Sequence, residues 1–240
     1  MLLRCCIAEP EDAPRIAEIH MAAFASNAML LAQFRSTAVR HALQHSIELK
    51  ALSDIEDSKT TVLFIRRDGM QTMLDEKESS NALGIPLSDS TIIAFAKWAH
   101  PTEPHDEYEE PPWIWPEGTA LDVLDDWTRL VEEAQTRAMG SQACYRLTFI
   151  AADPRYQRHG AGTLMVAWGL GRCEKEKVFA YLESTEEAVN LYKEQGFEAA
   201  LEISMSITFE SSEGGGITQD YKEVAMVYRL KTTSENRSVL

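Results

Sequence analysis

Two glycines, Gly160 and Gly162, stand between an apolar run and an amphipathic one, and they limit what this chain can build. Leu147-Thr148-Phe149-Ile150-Ala151-Ala152 reads as a buried strand and Asp153-Pro154 as a turn. Arg155 to Gly160 is a polar loop, and Gly162 to Lys175 a helix with Leu164, Met165 and Trp168 on one side. A helix entered through glycines presents free backbone N–H groups at its positive end, a ready site for an anion. Gly160 and Gly162 let that backbone come close to a phosphate. Arg155, Arg158 and His159 add positive charge in a chain whose formal net charge is −15. A diphosphate ligand explains that local reversal. Two glycines ahead of a helix also suit a bare tight turn, so the loop alone does not decide.

The chain around it alternates strand and helix patterns. Strands are expected at Leu3 to Ile7, Thr61 to Arg66, Thr91 to Trp98, Tyr145 to Ala152 and Val178 to Glu183, with two more near Ala200 to Phe209 and Glu223 to Leu230. Helices are expected at Ala13 to Phe24, from about Leu30 to Leu52, and at Leu121 to Ala138, Gly162 to Lys175 and Glu186 to Gln195. The last two strands, joined through Gly214-Gly215-Gly216, read as a hairpin, so the sheet is mixed and the class is α/β (α+β). One domain covers 1–232, with loop insertions near 68–90 and 100–118 and a polar tail at 233–240. The second insertion holds five prolines, which rule out regular helix or strand there.

Several function classes are disfavoured. No apolar run approaches the roughly 20 residues that span a bilayer, and the start lacks the pattern of a cleaved leader. A cytoplasmic location is expected. So acidic a surface argues against nucleic acid and anionic membranes as partners. Cys5, Cys6, Cys144 and Cys173 have neither zinc-ligand nor small-scaffold disulfide spacing, and read as reduced thiols. His41 and His45 are four apart on a predicted helix but lack a third ligand, so no metal is expected.

Gln157-Arg158-His159-Gly160-Ala161-Gly162 resembles the Q/R-x-x-G-x-G/A pyrophosphate loop of the GNAT N-acetyltransferase superfamily. Its glycine spacing is not that of a dinucleotide fold, and no Gly-Lys-Ser/Thr follows as in a nucleotide-triphosphate loop. A second motif follows at the distance the family uses. Tyr181-Leu182-Glu183-Ser184-Thr185 closes a strand, then Ala188, Leu191, Tyr192, Gly196 and Phe197 resemble the A-x-x-L-Y-x-x-x-G-F helix. Where the family often places Asn, this chain has Thr185.

The resemblance implies a mixed sheet of about seven strands flanked by helices, with a splayed parallel pair, Tyr145 to Ala152 and Val178 to Glu183, holding acyl-CoA. Backbone groups of Ile150, Ala151 and Ala152 would pair with the pantetheine arm, and one N–H could stabilise the oxyanion. Gln157, Arg158, His159, Gly160, Ala161, Gly162 and Thr163 would cradle the pyrophosphate, and Thr185 would touch the cofactor. Tyr192 resembles the tyrosine that protonates the leaving thiolate; a buried packing ring is the alternative. The cofactor strand holds no carboxylate. Glu183 is the nearest candidate base, with a salt-bridged strand-end residue or a water chain as alternatives. Trp98 and Trp127 are expected in the core, Trp113 and Trp115 at a substrate pocket.

The implied activity is acetyl-CoA-dependent N-acetyltransfer, by direct attack, to a primary amine of a small molecule. A protein or peptide acceptor, or a non-catalytic acyl-CoA-binding protein, are the alternatives. Oligomeric state and acceptor identity are left open.

Overall fold

The computed structural model describes residues 2–67, 91–102, 107–210 and 215–230. The expected insertion at 68–90, part of that at 100–118 and the tail at 233–240 lie outside the described residues. Among the described residues, seven strands make one mixed sheet: β1 (Leu3–Ile7), β2 (Thr60–Arg67), β3 (Thr91–Ala99), β4 (Cys144–Ala152), β5 (Phe179–Thr185), β6 (Phe197–Glu210) and β7 (Gly216–Tyr228). Their spatial order is β1-β2-β3-β4-β5-β7-β6. All neighbours pair antiparallel except β4 and β5. Helices are α1 (Ala13–Ala23), α2 (Ala28–Gln33), α3 (Thr37–Glu56), α4 (Leu121–Met139), α5 (Ala161–Glu176) and α6 (Val189–Glu194).

Alternation along the strands sends side chains to two layers. On one face Leu63, Ile65, Ile93, Leu147, Leu182 and Met226 pack against Met165, Val166 and Cys173 of α5 and Tyr192 of α6. On the other, Val62, Phe64 and Phe95 meet Ile16 and Ile19 of α1 and Ala51 of α3. Further along that same face, Tyr181, Ala225 and Val227 meet Ala134 and Met139 of α4. Trp98 is a core residue under α5, where its Nε1 donates to the Met165 carbonyl oxygen at 3.2 Å.

Two expectations are corrected. The single helix expected over Leu30 to Leu52 is two, because Ser36 starts a new one: its hydroxyl accepts from the Val39 N–H at 3.1 Å. Asn27 caps the first in the same way, accepting from the Leu30 N–H at 3.0 Å. The closing hairpin is also longer than its apolar alternation suggested: β6 starts at the buried Phe197, and the polar stretch Gly216 to Lys222 of β7 pairs with Ser204 to Glu210.

A candidate acyl-transfer site at the strand splay

Parallel pairing of β4 with β5 runs only from Cys144–Phe179 to Leu147–Leu182. Beyond it the strands part. Opposite Trp98 and Lys97 of β3, β4 places Leu147 and Phe149, so Thr148 is an extra residue that bulges the strand at the point of separation. The rest of β4 keeps its partner on one side only: Ile150, Ala151 and Ala152 face Ala96, Phe95 and Ala94 of β3. β5 meanwhile turns to β7, with Glu183, Ser184 and Thr185 opposite Ala225, Val224 and Glu223. The β5-facing backbone groups of Ile150 to Ala152 therefore have no strand partner, and an extended ligand can take that place.

At the same end of the sheet, β4 leads into the glycine loop. Asp153 caps a short 3-10 turn, accepting from the Arg155 N–H at 3.0 Å. Its carboxylate also accepts from Arg15 of α1 at 2.6 Å and from the Arg155 guanidinium at 2.8 Å. These bonds outweigh burial and hold its pKa well below the usual carboxylate range. Arg155 is thus committed to Asp153 and is not the free cation that the sequence suggested. Arg158, with φ +66°, and Gly160, with φ +86°, turn the chain into α5. No side chain caps that helix, so the N–H groups of Ala161, Gly162 and Thr163 are available to an anion. Gly162 has a packing reason as well, because a Cβ there would stand 3.1 Å from Leu191 of α6. The Gln157 amide reaches back to the Ala152 carbonyl at 3.5 Å. His159 turns Nδ1 to the Gln157 carbonyl at 2.7 Å. A carbonyl can only accept, so the proton sits on Nδ1 and Nε2 is left for a ligand.

Behind the splay opens a cleft of about 520 Å³. Ile150, Glu183, Thr185 and Tyr192 line it; the glycine loop lies off its walls. One wall is built from α1 to α3 with His20, Phe24 and Phe34, the other from α4 with Trp127 and Val131. Trp127, expected in the core, lies against the cleft because Tyr221 meets its ring edge-on at 5.1 Å and holds it there. Trp113 and Trp115 stack at 4.5 Å and cover the cleft from the proline-rich segment. Glu110 fastens that segment: Oε1 accepts from Lys97 at 2.8 Å and Lys50 at 3.0 Å, and both lysines bind Asp54. His20 is buried among Phe24, Phe95 and Phe149, and burial lowers its pKa to about 4, so it is a neutral part of the wall. His41 and His45 are exposed on α3. Among the described residues no group of three potential metal ligands comes together, and no helix is long and apolar enough to cross a membrane.

Residues 88–197 match the model of the acetyltransferase (GNAT) family. Over that segment, just under half of the chain, the protein is similar to the GNAT acetyltransferases. Its fold is shared with solved structures across nearly the whole length. A histone acetyltransferase HPA2 and related acetyltransferase from Corynebacterium glutamicum is 18% identical, covers 98% of this chain and 99% of its own, and has a TM-score of 0.54. A mosquito arylalkylamine N-acetyltransferase like 5b is 12% identical, with 95% and 100% coverage and a TM-score of 0.57. The C-terminal condensation domain of Ebony, in complex with beta-alanyl-dopamine, is 10% identical, with 96% and 100% coverage and a TM-score of 0.62. No curated protein matches the sequence. The expected GNAT fold, with its mixed seven-stranded sheet and parallel pair, is the fold observed.

Tyr192 sits on α6, on the far side of the sheet from α4, yet reaches the cleft where β4 and β5 part. Burial first, and the Glu223 carboxylate second, push its pKa up, so the hydroxyl keeps its proton at neutral pH. Glu183 is in the cleft but ion-paired, with Arg146 Nη2 at 3.1 Å. The sequence reading passed over Glu223. It lies on β7 opposite Thr185, faces the cleft, and accepts from the Tyr221 hydroxyl at 2.6 Å. Burial and the nearby Glu183 charge raise its pKa to about 7 against the pull of that hydrogen bond.

Proposed function

We propose that the protein is an acetyl-CoA-dependent N-acetyltransferase whose acceptor is a small molecule bearing a primary amine and an apolar or aromatic body. The observation that carries this reading is the splay itself. A strand edge without a partner and an uncapped, glycine-entered helix lie beside a walled cleft, with a protonated tyrosine where they meet. The pantetheine arm would run along Ile150 to Ala152. The pyrophosphate would rest on the turn from Gln157 to Thr163, with Thr185 at the opposite strand end.

The cleft supports the acceptor class. Its volume of about 520 Å³ is that of a small-molecule pocket. Its lining holds Glu110, Glu132, Glu183 and Glu223 against Lys97 and Arg146, and both cations are already ion-paired. An ammonium group is favoured there and a carboxylate is not. Trp113, Trp115 and Phe149 offer aromatic faces to the rest of the molecule. One structural relative is named an arylalkylamine N-acetyltransferase, in keeping with this acceptor class.

In the reaction, the neutral amine nitrogen attacks the thioester carbonyl carbon directly. A backbone N–H from Ile150 to Ala152 meets the oxygen as it gains charge. As the C–S bond breaks, Tyr192 gives its proton to the departing sulfur. It recovers one from the nitrogen, which must lose a proton to become an amide.

Titration calorimetry with acetyl-CoA and with free CoA, followed by CoA release over a panel of small amines and of peptides, tests the reading. Binding of acetyl-CoA with turnover of small amines is expected. Turnover of peptides alone would move the acceptor to protein. Binding without any turnover would leave an acyl-CoA-binding protein with no transferase activity.

A further inference from the structure

Direct attack needs a neutral nitrogen, whereas an aliphatic amine is an ammonium ion at neutral pH. Some group in the cleft has to take that proton. Resting on the acetyltransfer reading above, we propose that Glu223, and not Glu183, takes the first proton from the acceptor ammonium.

Position comes first. Glu223 lies on β7 directly across from Thr185, at the end of β5 where the splay opens, and it lines the acceptor cleft. Its charge acts on Tyr192, so base and acid flank one small volume. Glu183 lines the same cleft, but Arg146 holds its carboxylate. That ion pair engages one Glu183 oxygen with a fixed cation, whereas no cation binds Glu223 among the described residues.

Orientation comes next. Tyr221 can both donate and accept, and Asn27 settles which it does. The Asn27 side-chain amide donates to the Tyr221 oxygen at 3.1 Å, so the Tyr221 proton points to Glu223 Oε1 at 2.6 Å. One carboxylate oxygen is occupied in this way and Oε2 is left for the acceptor. Asn27 is itself fixed, since its Oδ1 caps α2. The groups that set the charge around Glu223 are Tyr221 on its own strand, Glu183 on β5 with Arg146 of β4 behind it, Tyr192 of α6, and Glu187, which acts on Tyr221. No cation binds Glu223 directly among the described residues, so its proton affinity is raised by burial and by Glu183.

The step balances. R–NH₃⁺ and the Glu223 carboxylate become R–NH₂ and the carboxylic acid, and the freed lone pair forms the C–N bond. The C–S electrons leave with sulfur, which takes the Tyr192 proton. The new amide nitrogen returns a proton to Tyr192, and Glu223 releases its own to solvent.

The test compares wild type with Glu223→Gln on two amines, phenylethylamine (an ammonium ion at neutral pH) and aniline (already neutral there). Acetyl-CoA affinity and melting temperature serve as checks on folding. For wild type, kcat with phenylethylamine should rise with pH through an inflection near 7. Glu223→Gln should erase that inflection and lower the rate by about 10²-fold or more, while aniline loses less than about tenfold. Glu183→Gln should move the inflection to lower pH, because a neighbouring negative charge is removed. An equal loss on both amines, or an unchanged pH profile in Glu223→Gln, overturns the proposal. A separate readout needs no turnover: the carboxyl ¹³C signal absent from Glu223→Gln should titrate near 7 in wild type. Titration in the ordinary carboxylate range sinks the proposal even if acetyltransfer is confirmed. Failure to release CoA with any amine instead overturns the transferase reading, and the base with it.

Discussion

The indole of Trp98 fills the space in which a side chain on Gly169 would begin. A Cβ on Gly169 would stand 2.2 Å from the ring, and the ring cannot step aside, being fully buried and tied to Met165. Gly169→Ala should therefore destabilise the fold by about 2–3 kcal/mol, despite the better helix propensity of alanine. Chemical denaturation of the two proteins would show it. An unchanged midpoint would mean that α5 sits farther from the sheet than described.

Gly160→Asp places a carboxylate where the proposed pyrophosphate rests. The position is open, with nothing within 4 Å of a Cβ, and the left-handed backbone costs only about 1–2 kcal/mol. Acetyl-CoA binding by calorimetry should be lost. Gly160→Asn, which tolerates the same backbone without the charge, should retain more of it. Equal affinity in all three proteins would remove the loop from the site.

Tyr192→Phe keeps the ring that packs edge-on against Phe197 and removes only the hydroxyl. Steady-state turnover should fall by about 10²-fold, with acetyl-CoA affinity within about twofold of wild type. An undiminished kcat would leave Tyr192 as packing alone.

Glu223 should weaken the fold at alkaline pH. Its pKa rises from 4.5 in the unfolded chain to about 7 in the native protein. The folded state therefore binds more protons between those values, and stability falls as pH rises through them. The cost is absent below 4.5 and complete above about 7. Glu223→Gln should stabilise the protein by about 3 kcal/mol at pH 8 and by little at pH 5. Denaturation curves at the two pH values would reveal the difference, and a gain of the same size at both would contradict it.

Much of this was legible in the sequence wherever local chemistry decides the structure. The segment from Leu147 to Phe197 has apolar runs, a proline turn, αL glycines and a helix start set close together in the chain, so motif and backbone agree. The break between α2 and α3 was missed because apolar spacing runs through it; Ser36 was the signal available. Glu223 was illegible for a different reason. A lone Glu in a polar hairpin strand looks solvated, and its place beside Thr185 depends on β7, rather than β6, docking against β5. Nothing local to the hairpin selects that order. Arg155 was misjudged for another reason: its guanidinium folds back onto the adjacent Asp153, a carboxylate it shares with Arg15 of α1 from a distant part of the chain.

The short parallel seam has a mechanical consequence. Four residue pairs, Cys144–Phe179 to Leu147–Leu182, are the only ladder between the panel β1 to β4 and the panel β5, β7, β6 among the described residues. The helices α1 and α3 ride on the first panel and α4 on the second. The panels are also tied outside the sheet, since Met29 and Ala32 of α2 pack on Ile207 of β6 and the Asn27 amide donates to the Tyr221 hydroxyl at 3.1 Å. With so short a backbone seam, the gauge of the cleft rests on side-chain packing across it, and a molecule lying along the open edge of β4 would add a further tie between the panels.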